Sequence, residues 1–76
     1  MFKQLREKTG YTIERVAQVL DISKSALYKY EEFHLLPSPN ILLKMCEVYN
    51  CSYEEIMLSY KLAKGVYDER RAKKAT

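Results

Sequence analysis

Between Lys24 and Lys29 the chain sets two amines, a hydroxyl and a phenol within one short segment, Lys24-Ser25-Ala26-Leu27-Tyr28-Lys29. At helical spacing Lys24 and Tyr28 lie one turn apart, as do Ser25 and Lys29, and both pairs fall opposite Leu27 and Tyr30. Such a face holds groups that match base edges. Lysine donates to guanine O6 and N7, serine bonds several edges, tyrosine hydrogen-bonds or packs on a thymine methyl, and Ala26 suits the same methyl. The same residues also make an ordinary solvated surface, so the elements around them must decide. Other reactive groups lead nowhere comparable. Glu54 and Glu55 are neighbours on a helix and diverge by about 100°, which suits a helix N-terminus better than acid–base work. His34 reads as loop surface. Cys46 and Cys51 read as free thiols that behave as small hydrophobes. No zinc spacing, nucleophile–base set or phosphate-cradling glycine loop is visible, so the expectation is no enzyme, no metal, no cofactor and no small-molecule substrate.

The chain that must position this face has 76 residues, 47% hydrophobic and 30% charged, with two glycines and two prolines. At that length folding buries roughly 60% of the unfolded surface, enough for one core. Apolar runs reach three residues, as in Ile41-Leu42-Leu43 and Ile56-Met57-Leu58, far short of the roughly 20 a membrane span needs. With a charged N-terminus and no signal segment, the expected location is cytoplasmic, without a membrane partner. The net charge of +3 is unevenly spread. Residues 61–76 carry six basic against two acidic side chains, net +4, so the first sixty sum to −1.

Apolar residues recur at helical spacing throughout, which predicts an all-α chain of five short helices. Phe2 and Leu5 open the first, and Gly10 stops it. Thr12 caps a second with Ile13, Val16, Ala17 and Leu20 on one face; Asp21 takes the positive φ of the turn. Ser23 caps a third with Leu27 and Tyr30 inward. Ser38-Pro39 starts a fourth that buries Leu42, Cys46 and Tyr49 and ends at Asn50. Ser52 caps a fifth, which Gly65 ends near Lys64. Phe2, Leu5, Val16, Ala17, Leu20, Ile22, Leu27, Tyr30, Leu42, Cys46, Tyr49 and Ile56 form the expected core. The organisation is a domain over 1–64 and a basic tail over 65–76, expected to be frayed.

Two helices this short, joined by Asp21-Ile22-Ser23, must cross steeply and share a core, with Ala17 at the close approach. That is a helix-turn-helix. With Tyr30-Glu31, Pro37-Ser38 and Asn50-Cys51-Ser52-Tyr53-Glu54-Glu55-Ile56 at the right distances, residues 2–58 resemble the lambda-repressor-like (Cro/C1, XRE-type) family. The resemblance implies a five-helix fold and a sequence-specific transcriptional regulator of double-stranded DNA, of the phage, plasmid or mobile-element kind. It would put the third helix in the major groove and bind as a homodimer on a palindromic operator. Base-reading then falls to Lys24, Ser25, Ala26, Tyr28 and Lys29. Phosphate contacts fall to the start of helix two (Thr12 and Ile13), to His34 in the loop after helix three, and to Arg70, Arg71, Lys73 and Lys74, for which a solubilising role is the other reading. The resemblance also implies a structural ion pair between Arg6 and Glu31. Tyr53, Met57 and Tyr60 are the candidate dimer surface. Ile13 stands where the family often has glutamine, and Phe33 where a glycine usually follows helix three. These departures leave a second reading open, a protein-interaction module that keeps the fold without reading bases.

Overall fold

Side-chain caps set where the helices begin. Thr12 Oγ1 accepts from the Arg15 amide, Ser23 Oγ from Ala26 and Ser38 Oγ from Ile41, with Pro39 in the first turn where its missing N–H costs nothing. The computed structural model describes residues 1–75, with side chains through residue 73. The helices are α1 (Phe2–Thr9), α2 (Ile13–Leu20), α3 (Lys24–Glu31), α4 (Pro39–Tyr49) and α5 (Tyr53–Ala75). Among the described residues there is no strand, and no helix is long and apolar enough to cross a membrane.

The helix ends share one device. Gly10, Asp21, Phe33 and Asn50 all adopt positive φ, at 78°, 57°, 66° and 52°. After α2, α3 and α4 the following amide reaches back five residues: Ile22 to the Ala17 carbonyl, His34 to Lys29 and Cys51 to Cys46. This closure satisfies carbonyls that a helix end would otherwise orphan. Asp and Asn tolerate the conformation; a phenylalanine there costs about 1–2 kcal/mol. Phe33 stays because its ring is half-buried against the core.

Phe2, Val16, Leu27 and Met45 are fully buried, and Leu20 is 1% exposed. α2 packs on α3 and α4, α4 also on α1 and α5, and α1 on α3. Two expected core residues, Ile22 and Tyr30, are only half-buried. Ile22 lies in the turn and Tyr30 at the margin of α3, and both pack against the core from its edge. The sequence reading missed Met45 and Ala63, both buried, and left Ile13 out of the core although its spacing puts it on the apolar face of α2, where it is buried.

The larger correction concerns α5. It does not end at Lys64 but continues through Gly65 as one 23-residue helix, so the described part of 65–76 is helical rather than frayed. Gly65 is exposed, and a Cβ added there meets open space. Gly65→Ala should therefore stabilise the domain by about 0.5–1 kcal/mol, read from the urea midpoint at constant slope.

Tyr49 is buried, and its hydroxyl has no hydrogen-bond partner among the described residues. Burial, then the nearby Glu31 carboxylate, holds its pKa well above the ordinary 10.0. Cys51 is likewise pushed up, by burial and its neighbour Cys46, to about 11 from 9.0. In both cases the unfolded chain loses the proton first. The stability these two groups contribute is therefore complete below pH 9.0 and falls as pH rises through about 11 and beyond. Tyr49→Phe should be neutral or stabilising by about 1 kcal/mol at pH 7, because no hydroxyl is then left unpaired. It should also blunt the alkaline loss, measured as melting temperature against pH.

Candidate nucleic-acid interface

The exposed face of α3 is built by what α3 buries. Leu27 is fully buried and Glu31 is 9% exposed, so the side opposite them faces solvent. Ser25, Tyr28 and Lys29 lie on it, exposed, with Ala26 half-buried beside them; Lys24, expected there too, stands one turn before Leu27 on the other side and is exposed because it opens the helix. The structure thus brings Ser25, Tyr28 and Lys29 onto one face of α3, with Lys24 and Ala26 at its two edges. A bidentate ion pair fixes the far end of the helix. Arg6 Nε donates to Glu31 Oε2 at 2.7 Å and a terminal nitrogen donates to Oε1 at 3.1 Å. The pair is 14% and 4% exposed on its two side chains. The hydrogen bond from Arg6 to Glu31 raises the guanidinium pKa above its ordinary value despite desolvation. Arg6 also donates to the Tyr11 carbonyl at 3.2 Å, joining α1, the approach to α2 and the end of α3.

Beside this face stands the start of α2. Thr12 occupies the cap, and the Ile13 and Glu14 amides that follow it have no intrahelical partner. Ile13 itself is a correction. Its side chain is 8% exposed and belongs to the core, so only its amide can meet an anion. Thr12, Ile13, Glu14 and Tyr28 share one shallow concavity with Arg6; Glu14, Ala17 and Lys24 share another with Gln18 and Ile22. Lys24 Nζ donates to Glu14 Oε1 at 3.2 Å. Glu14 did not emerge from the sequence as a site residue, since nothing local links it to a lysine on the next helix.

The later turns of α5 pass beside the loop that follows α3. Arg70 donates to the Glu32 carbonyl at 2.6 Å and lies 3.3 Å from His34 Nδ1, joining residues 38 and 36 apart. His34 Nε2 is 3.6 Å from a Glu32 carboxylate oxygen. Arg71 bonds the Tyr67 hydroxyl at 3.0 Å and stacks 5.6 Å from that ring's centre. Acidic neighbours temper the remaining charge: Lys64 pairs with Asp68 at 2.8 Å, and Lys73 lies 3.9 Å from Glu69. The side chain of Lys74 lies outside the described residues. Among those described, no cluster of His, Cys, Asp or Glu is placed to hold a metal ion.

On another flank, Tyr53, Met57 and Tyr60 line one open groove of about 350 Å³ with Pro37, Leu42 and Leu43. Leu43, Tyr53 and Met57 are 49%, 68% and 44% exposed.

The helix-turn-helix family matches residues 2–56. The HTH-type transcriptional regulator ImmR of Bacillus subtilis is 34% identical over 55 residues, covering 72% of this chain and 43% of that protein. A Pyrococcus abyssi protein whose name places it with HTH-type transcriptional regulatory proteins is 30% identical over 67 residues, covering 88% of this chain and 20% of its own length. The chain therefore spans less than half the length of these relatives. No solved structure matches it significantly.

Proposed function

The chain belongs to the Cro/C1-type helix-turn-helix family, and on that premise we propose that it is a sequence-specific, double-stranded DNA-binding transcriptional regulator. α3 enters the major groove and reads operator bases with Lys24, Ser25, Ala26, Tyr28 and Lys29. The observation that carries the reading is the solvent-facing surface of α3, braced from behind by the core and by Arg6–Glu31. Phosphates meet the amides at the start of α2 and the loop after α3. There Arg70 and His34 sit together, which places the basic end of α5 on the same flank. Arg71 and Lys73 extend that charge, and Lys74 is proposed with them from its place in the sequence alone. One recognition helix reads few base pairs, so a homodimer is proposed, joined through the groove at Tyr53, Met57 and Tyr60 on half-sites about 34 Å apart.

The test is a contrast on one selected operator and on random DNA. Tyr28→Ala or Lys29→Ala should weaken the operator by about 1–3 kcal/mol and leave random DNA nearly unchanged. Thr12→Ala should weaken both alike, through loss of backbone anchoring. The same titration should give two chains per palindromic site, and a 1:1 complex counts against the dimer. The exposed apolar groove favours a second reading, a protein-interaction module. That becomes the better one if substitutions on α3 leave sequence preference untouched.

A further inference from the structure

Glu14 and Lys24 stand ten residues apart on different helices, and the α2–α3 crossing alone brings them together. Both side chains are largely exposed, at 74% and 56%, so the pair adds about 1 kcal/mol of stability at most. Its place is more telling than its strength. Glu14 lines the concavity that holds Tyr28 and also the one that holds Lys24, and so stands between two proposed base-reading residues. A carboxylate on a surface that approaches phosphates weakens binding unless it meets a donor. The base edges of the major groove offer such donors at two places, cytosine N4 and adenine N6.

We propose that Glu14 is a specificity-determining residue that accepts a hydrogen bond from cytosine N4, while Lys24 donates to O6 and N7 of the paired guanine. The inference rests on the proposal that α3 reads the groove. Guanine O6 and cytosine N4 are bonded to each other across the pair, about 2.9 Å apart. Lys24 Nζ and Glu14 Oε1 are 3.2 Å apart. The ion pair therefore offers a donor and an acceptor at nearly the spacing at which a G·C edge offers an acceptor and a donor. Against A·T the fit is poorer. With adenine under Lys24 the lysine meets N7 beside the N6 amine, a donor, instead of two adjacent acceptors; with thymine there, O4 and adenine N6 repeat the acceptor and donor, but a methyl replaces guanine N7 as the second acceptor and adenine N7 turns a lone pair toward the carboxylate.

The test begins with binding-site selection by the wild-type chain and by Glu14→Ala, a change on an exposed position whose folding is checked by thermal melting. Each cytosine of the selected site is then replaced, one at a time, by 2-pyrimidinone. This base pairs with guanine and lacks only the N4 amine, so guanine O6 and N7 stay in place. Wild-type binding should fall about tenfold at one position in each half-site. Glu14→Ala should be indifferent to the swap at that position and should bind random DNA more tightly, because a negative charge has left the surface. An equal loss in both proteins, or no loss in the wild type at any cytosine, overturns the assignment. A wild-type chain that selects no sequence at all overturns the groove-reading proposal itself, and this shows at the selection step before any base is swapped.

Discussion

Glu31→Ala lowers the unfolding free energy by about 3 kcal/mol, the lower end of the cost of breaking a buried ion pair from one side. The low end applies because the Arg6 side chain keeps 14% exposure and so recovers some water. Its remaining protein partner is the Tyr11 carbonyl at 3.2 Å, which leaves most of the guanidinium unanswered. Removing both charges, as Arg6→Met with Glu31→Leu, should cost much less, because no desolvated charge then stays behind. Urea denaturation at pH 7 distinguishes the two. A single substitution as mild as the double one would mean that the pair is solvated in solution. The loss should extend to binding, since the pair ties α1 to the end of the helix proposed to read bases. Affinity for an operator should fall in Glu31→Ala even where the domain stays folded.

Leu20→Ala should cost about 2–5 kcal/mol. Leu20 is 1% exposed on the last turn of α2, in a cluster with Val16, Ala17 and Leu27. Closing the cavity would need α2 and α3 to move, and the short turn at Asp21, held by the Ile22 amide on Ala17, resists that. For 76 residues a whole stability of about 4–11 kcal/mol is expected, so this one truncation removes a large share of it. Each kcal/mol corresponds to about 4–8 °C in melting temperature at this size. A shift of only a degree or two would show that the site collapses without strain.

Much of this architecture is legible residue by residue, because the deciding interactions span few positions. Thr12, Ser23 and Ser38 cap amides three residues ahead, and Gly10, Asp21 and Asn50 close the turns behind them. Ser52 caps α5 as its spacing implies, and the structure adds Glu55, whose carboxylate accepts from the Ser52 amide in return. The face of α3 follows from the same arithmetic. With Leu27 inward, Ser25, Tyr28 and Lys29 turn outward, whereas Lys24, one turn before Leu27, is exposed because it opens the helix.

What only the tertiary structure decided spans distance or sets a local preference against packing. A helical glycine costs about 1 kcal/mol relative to alanine, and on that ground Gly65 reads as a stop. The helix continues because the residues on either side have somewhere to go: Ala63 is buried, Val66 and Tyr67 are half-buried, and Arg70 is held by the Glu32 carbonyl. Ile13 follows the apolar face of α2 into the core, so only its amide is left to meet an anion. Arg70 with His34, and Glu14 with Lys24, are pairs that no spacing along the chain announces. They exist because helix crossings are fixed by the fit of buried side chains. The charged residues carried on the outer faces meet where that fit leaves them.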